Sequence, residues 1–592
     1  MMMLNIHSNL VKMYNIQENV RIVIGALKAY NIRQIVVSPG GTNIPISQAV
    51  QDDPFFQCYS VVDERSAMYF AIGLYLQTGE IIATSCTSAQ ATRNYLPGLT
   101  EAFYKRVPIL AITTSKLERY SYQEYMQAPD QVSLPRDAVR QGFDLPPVTD
   151  ENTRIQCMQD TVKAILSLTH HGKGPVQLNI RITDSLVKNF TEDYLPKIRT
   201  VKRYYIWDSW DDITLEGKKI LLVIGESRPF EENKKKIIED FCNYYNVVIY
   251  TNHLSNYHGK YSVNGNLIVS SGGFRLAGLK PNIVITIGGQ TGDYSIFGAL
   301  TRNLNEYEHW RVSEDGEYID TYNHLTKIFE CSIDSFFNRL VPDGKVCGIH
   351  HSYFESWNSL FNNIEVNVDV PFSNLYSAMV LSSLIPSNSI INFAILNSLR
   401  CWSYFPLDKS VQAYANVAAF GIDGCNSMLI GESMNTDSLC FIITGDLAFF
   451  YDMNALGIRH IKNNIRILLI NNHGGAEFRF MTRSWGYVPN TKPFISAEGH
   501  NGSAKGWSEN CGFDYLSASN KEDFLNMKEN FVSPNPKPIV FELFIDPNDD
   551  LLAWQKFLET NAIVMPGDNV KQILKKIVGK NLKSIIKKYD KK

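Results

Sequence analysis

The sequence predicts an α/β protein of three doubly wound parallel-sheet domains, and three observations carry that prediction. At 592 residues the chain exceeds what one hydrophobic core supports, and about 150 residues per domain points to several cores. Short apolar runs bounded by Gly, Pro and Asn alternate with longer runs of helical period, the rhythm of strands and crossover helices. That rhythm pauses twice, from Tyr194 to Asp212 ("YLPKIRTVKRYYIWDSWDD") and, less regularly, from Pro342 to Pro371. The limits that follow are an N-terminal domain over 1–195, a central domain over 196–345, a third domain over 346–570 and a tail over 571–592.

In the first set, "IRQIVVSPGG" reads as a strand entering a turn, "CYSVV" as a second strand, and "ERSAMYFAIGLYLQTG" as a helix stopped by Gly79. "EIIATSC" is a third strand, "AQATRNYLPGLTEAFYKR" a helix, and "VPILAITT" a fourth strand. After the first pause come "KKILLVIGES", the helical "ENKKKIIEDFCNYYN", "VVIYTN" and "PNIVITIGGQ". The third set is "LYSAMVLSSLI", "SIINFAIL", "SLCFIITGD", "IRILLINN" and "PIVFELFID". The tail differs. Ile573, Leu574, Ile577, Val578, Leu582, Ile585 and Ile586 fall at helical spacing among nine lysines, a pattern for a solvated surface helix or for contact with an anionic membrane or acidic partner.

Composition narrows the classes. A net charge of −3 gives no reason to expect nucleic acid as the partner. The ten cysteines are scattered singly, without zinc spacing, which reads as reduced packing thiols and a cytoplasmic location. The N-terminal stretch lacks the charged region, apolar run and cleavage site of a secretory signal, and no run of about 18 apolar residues is present to span a membrane.

Two strand ends carry chemistry. Asp446 follows "CFIIT" and Gly445; Asn471 and Asn472 follow "IRILLI". Ligands of parallel sheets gather at carboxyl ends of strands. A carboxylate, an amide oxygen and a nearby carbonyl are hard donors that suit Mg²⁺ together with phosphate oxygens. Gly445, Gly474 and Gly475 allow close backbone approach. Read without further context, the same residues also serve as a helix cap and turn formers.

This G-D-x…N-N pattern resembles the diphosphate-binding signature of thiamine-diphosphate enzymes. The resemblance implies that Asp446, Asn472 and the carbonyl of Gly474 hold Mg²⁺, with Leu447 where many members have glycine. "VVSPGG", "DERSAMYFAIGLYLQTGE", "SCTSAQATRNYLPGLTEAFYKRVPILAITT", "QAPDQVSL", "HWRVSEDGEYID" and "YANVAAFGIDG" are similar, in order, to segments of the menaquinone-pathway synthase family, from about residue 16 to 560. Residues 1–195 then correspond to the pyrimidine-binding domain and 346–570 to the diphosphate-binding domain. Glu64 matches the glutamate that hydrogen-bonds the cofactor's aminopyrimidine and so favours its imino tautomer, whose nitrogen removes the thiazolium C2 proton. Ile422 matches the apolar support beneath the thiazolium. Ser398, Gly445 and the backbone at Leu447 match the diphosphate contacts, and Gln127 matches a glutamine near the reacting centre. The resemblance also implies a homodimer or homotetramer in which Glu64 and Asp446 of one site come from different subunits.

The departures concern charge. The family binds two polyanions through arginines, whose planar forks meet carboxylates with two hydrogen bonds. Here Gly41-Thr42, Val417 and Trp402 stand at arginine positions, Lys116 replaces another arginine, and Glu477 adds a negative charge. Arg93, Arg106, Arg400 and Arg479 are cations that could compensate. The expectation is a thiamine-diphosphate- and Mg²⁺-dependent decarboxylase and carboligase, a transferase that moves an acyl unit from a small 2-oxo acid to an acceptor other than isochorismate. The alternative is the menaquinone-pathway reaction itself, 2-oxoglutarate plus isochorismate. A catalytically silent homologue acting as a binding subunit is the third reading.

Overall fold

The computed structural model describes residues 12–302, 307–341, 351–480 and 492–563. The tail expected over 571–592 lies outside them. Contacts divide the chain into two compact units, Met1–Lys202 and Arg203–Lys592. The second unit is not divided further, so domain limits at 195 and 345 stay expectations.

The three expected parallel sheets are present. In the first unit a six-stranded sheet runs Gln57–Ser60, Gln34–Val37, Ile82–Cys86, Ile109–Ser115, Val176–Arg181, Gly142–Leu145, with every neighbour parallel. Its central strands are covered on both faces: Ile82–Cys86, Ile109–Ser115 and Val176–Arg181 are buried throughout. A two-residue antiparallel pairing of Tyr14–Asn15 with Phe190–Glu192 ties the ends of this unit together.

The second unit holds a seven-stranded and a six-stranded sheet. The seven-stranded sheet runs Ser262–Asn264, Val247–Thr251, Ile220–Ile224, Ile283–Ile287, Glu308–Ser313, Leu325–Glu330, with Lys202–Tyr205 at the far edge. Its order reverses beside Ile220–Ile224, where open α/β sheets bind ligands. Here that crevice is sealed by backbone. The Glu226 N–H donates to the Gln290 carbonyl and the Gly289 N–H to the Glu226 carbonyl, and a Cβ on Gly225 would lie 1.8 Å from the Gly289 oxygen.

The six-stranded sheet of this unit runs Gln412–Ala415, Ile390–Phe393, Cys440–Gly445, Ile465–Asn471, Ile539–Phe544, Asp514–Ala518, all parallel. Its order reverses between Ile390–Phe393 and Cys440–Gly445, and the carboxyl ends of those strands lead to Ser398 and Asp446. Side chains from the seven-stranded part brace this one. Asn256 both donates to the Ala413 carbonyl and accepts from its N–H, His253 Nε2 meets the Trp402 carbonyl at 3.0 Å, and Asn264 donates to the Ser403 carbonyl. The irregular break expected over Pro342 to Pro371 contains a helix, Ser352–Asn362, which buries Tyr353 and Trp357.

Candidate cofactor site

Strand Cys440–Gly445 and strand Ile465–Asn471 pair in parallel with Gly445 opposite Ile470, so both chains leave the sheet at the same end. Gly445 is extended, at φ −80° and ψ 164°, and a Cβ there would meet nothing within 4 Å: the backbone borders open space. The helix Asp446–Tyr451 starts beside it. Asp446 is 1% exposed. Its Oδ1 accepts the Leu447 N–H at 2.6 Å and its Oδ2 accepts the Gly474 N–H at 2.9 Å. Burial raises this carboxyl, against the pull of those hydrogen bonds and of His500. His500 Nδ1 accepts the Gly502 N–H at 3.1 Å, which leaves the ring proton on Nε2, 3.1 Å from Asp446 Oδ2. Among the described residues no lysine or arginine forms an ion pair with Asp446.

The two asparagines divide their work. Asn471 is fully buried; its amide nitrogen donates to Glu542 Oε1 and the Gly502 carbonyl, and its oxygen accepts the His473 N–H. Glu542 also accepts from Ser503, Ala504 and Tyr515, and so fastens the 500–504 loop to the sheet. Asn472 instead donates its amide nitrogen to Asp550 Oδ2 at 3.4 Å. Asp550, 1% exposed and raised to about 6 by burial, also accepts the Asn374 N–H at 2.8 Å. Asn374 in turn donates to the Asn397 carbonyl, next to Ser398. Gly474, at φ +150°, is a position no other residue fills: a Cβ would sit 2.7 Å from the Glu498 Cα.

Ser398 is buried in the short helix Asn397–Trp402, which follows Leu396 at φ +68°. Ile422 is half-buried between two apolar clusters of the same unit. The donor set fits a divalent cation with a diphosphate. It offers a buried carboxylate that no lysine or arginine pairs with among the described residues, an amide oxygen whose nitrogen is already engaged, and a glycine-lined space at Gly445. Asp446, Asn472, Gly474, Ser398 and Leu447 are thus brought to one end of one sheet. Asn471 holds the loop instead.

In the first unit, Glu64 opens the helix Glu64–Thr78 behind an Asp63 cap, and its Oε2 accepts from Asn94 Nδ2 at 3.1 Å. Within one chain Glu64 is half-exposed, and the same helix exposes Tyr69, Phe70 and Leu76. Gln127, at φ +58°, lines an open cavity of about 560 Å³ with Arg93, Tyr120, Tyr125 and Asp130. Gln131 is buried beneath this loop, bonded to Ala89, Thr92 and Thr114.

The charge departures have definite surroundings. Thr42 joins a hydroxyl network with Thr87 and Thr114 and accepts the Ser88 N–H. Trp402 and Val417 are core residues at 0% exposure, a setting in which an unpaired guanidinium would be costly. Lys116 pairs with Asp184. Arg93 donates to the Asp130 carbonyl, and Arg479 pairs with Glu498 at 2.8 Å. The negative charge that Glu477 adds is paired: Arg400 meets it with two bonds of 2.8 Å. His500, Asp550 and this ion pair escaped sequence reasoning, since each acts across dozens of residues with no local signature.

Comparison with known proteins agrees with this geometry. The family described as "Thiamine pyrophosphate enzyme, N-terminal TPP binding domain" matches residues 18–134. A 2-succinyl-5-enolpyruvyl-6-hydroxy-3-cyclohexene-1-carboxylate synthase of Phocaeicola vulgatus is 33% identical over 563 residues, covering 92% of this chain and 98% of the relative. Proteins of the same name from Bacteroides thetaiotaomicron and Flavobacterium johnsoniae are 30% and 27% identical, each over 91% of this chain and 98% of the relative.

Proposed function

The chain belongs to the 2-succinyl-5-enolpyruvyl-6-hydroxy-3-cyclohexene-1-carboxylate synthase family of thiamine pyrophosphate enzymes, and from that premise we propose that it catalyses that family's reaction, joining 2-oxoglutarate, after decarboxylation, to isochorismate. The carrying observation is the buried Asp446, held by two backbone N–H groups beside the open space at Gly445, at the reversal point of its sheet. Thiamine pyrophosphate, when bound, supplies the electron sink that decarboxylation and acyl transfer require.

The residues have separate tasks. Asp446, Asn472 and the Gly474 carbonyl would hold Mg²⁺, which would balance the charge of the buried Asp446 carboxylate. Ser398 and the backbone at Gly445 and Leu447 would receive the diphosphate oxygens. Ile422 would support the thiazolium. Glu64 shares a proton with the aminopyrimidine nitrogen, a role that demands a dry carboxyl. The exposed apolar residues on its helix support a homodimer, or a pair of dimers, in which a second subunit covers Glu64. Gln127 would act near the reacting carbon. The free thiols of the nine cysteines among the described residues suit the cytoplasm.

A second reading, an acceptor less anionic than isochorismate, is favoured by one observation: Thr42, Trp402 and Val417 occupy three of the family's arginine positions with uncharged, buried side chains. Losing those contacts forfeits about 1.5–3 kcal/mol per charge-assisted bond. Incubation with thiamine pyrophosphate, Mg²⁺, 2-oxoglutarate and isochorismate separates the two. The named product, identified by mass spectrometry, supports the first. Decarboxylation of 2-oxoglutarate with isochorismate left unconsumed supports the second.

A further inference from the structure

Arg400 and Glu477 are two charges that fold-building alone does not require. Arg400 lies two residues beyond Ser398 in a six-residue helix, and Glu477 lies three beyond Gly474 at the start of a four-residue one. Each therefore sits on a segment that carries a cofactor residue. Arg400 Nη1 donates to Glu477 Oε2 and Nη2 to Oε1, both at 2.8 Å, while Nη1 also reaches Asn397 Oδ1 at 2.5 Å. The guanidinium carbon stands 5.8 Å from the centre of the Phe480 ring. Arg400 also walls a cavity of about 20 Å³, room for one water, whose other polar walls include Asn252, Asn266, Asp293 and Ser295.

Two parallel N–H···O bonds are the geometry in which arginine takes any carboxylate, whether internal or from a ligand. We propose that Arg400 is a carboxylate-binding residue of the cofactor cleft and that Glu477 is its built-in occupant, so that an acid substrate engages Arg400 only by displacing Glu477. The exchange is feasible because it conserves the ion pair: a substrate carboxylate replaces the Glu477 carboxylate on the same fork, and Glu477 turns toward water. The pair is largely buried but reaches solvent at one edge, with 16% of the Arg400 and 11% of the Glu477 side chain exposed. The consequence is discrimination by charge. A 2-oxo acid with a second, distal carboxylate competes with Glu477, whereas one with a neutral tail does not need Arg400. This inference rests on the proposed reading that the cleft receives 2-oxo acids.

The test separates binding from turnover. Glutarate, a dicarboxylate that undergoes no reaction, is titrated by calorimetry into cofactor-free wild type, Glu477→Ala and Glu477→Ala/Arg400→Met. At least tenfold tighter glutarate binding to Glu477→Ala than to wild type is expected, with the gain lost in the double variant. Equal binding to wild type and Glu477→Ala, or a gain that survives Arg400→Met, overturns the proposal whatever the enzyme does. Should Glu477→Ala fail to fold, Glu477→Gln keeps the shape and weakens the hold; it is expected to show the same gain at about threefold, and no gain overturns the proposal. With cofactor, the KM for 2-oxoglutarate is expected to fall in Glu477→Ala while that for 2-oxobutyrate stays constant. A glutarate gain without decarboxylation of either acid by any form leaves the carboxylate site standing and refutes the functional reading instead.

Discussion

Replacing Gly445 by alanine adds one methyl group at the point where the proposed diphosphate would lie. The backbone there is extended, at φ −80° and ψ 164°, a conformation alanine adopts without strain. The new Cβ would meet nothing within 4 Å, so it neither clashes nor packs. Reduced freedom of the unfolded chain contributes about 0.4–1 kcal/mol in favour of the variant. Cofactor-free Gly445→Ala is therefore expected to unfold at the same temperature as wild type or slightly above it. With cofactor the same methyl occupies space the diphosphate needs, and overpacking of that kind costs about 1–3 kcal/mol. That range converts to a loss of affinity of about five- to 150-fold. Calorimetric titration of thiamine pyrophosphate with saturating Mg²⁺, alongside thermal unfolding, reads both quantities. Gly474→Ala is the contrast: a Cβ 2.7 Å from a backbone atom, at φ +150°, lowers stability and affinity together. Affinity within twofold of wild type in Gly445→Ala would refute the placement of the diphosphate at this strand end.

Other outcomes follow from single residues. Asp446→Ala removes a buried acid whose desolvation works against folding, so the cofactor-free protein is expected to keep its unfolding midpoint while Mg²⁺-dependent cofactor affinity falls at least 100-fold, about 2.7 kcal/mol. A retained affinity by calorimetry would count against the metal site. Glu432, bonded to Asn392 and facing Glu226 and Tyr414, is raised to about 7 from 4.5, by burial first. A carboxyl raised on folding costs nothing below the unfolded value and destabilises as pH rises from 4.5 through 7. Glu432→Gln is expected to remove a stability loss on the order of 2 kcal/mol between pH 5 and 8; parallel pH profiles by urea denaturation would contradict this. Arg466, fully buried, donates to the carbonyls of Asn463, Ile465, Phe531 and Ser533. Arg466→Met strands these acceptors and is expected to cost about 3 kcal/mol, less than four separate bonds because a buried charge is also removed. A shift under 1 kcal/mol in chemical denaturation would show that the carbonyls find other partners.

The strands were legible because parallel strands covered on both faces read as unbroken apolar runs, as in "CFIIT" and "IRILLI". Asp446 and Asn472 were legible for the same reason, as polar residues at the ends of such runs. The helix Ser352–Asn362 was missed although Tyr353, Phe354, Trp357, Leu360 and Phe361 follow a helical period; its polar, aromatic composition reads as a break. Long-range polar pairing left no trace in the sequence. His500 meets Asp446 across 54 residues, Glu477 meets Arg400 across 77, and Asp550 meets Asn472 across 78. The setting of Glu64 was illegible for another reason: one chain leaves it half-exposed, and the apolar face beside it is covered only if a second subunit supplies the surface.

Hydrogen–deuterium exchange at C2 of thiamine pyrophosphate, followed by proton NMR on the Mg²⁺-loaded protein, reports on the central assignment most directly. Wild type is expected to exchange that proton far faster than free cofactor does. Glu64→Gln is expected to bind the cofactor with near wild-type affinity and lose most of the acceleration. Wild-type exchange in Glu64→Gln, or no acceleration in wild type with cofactor bound, would contradict the account.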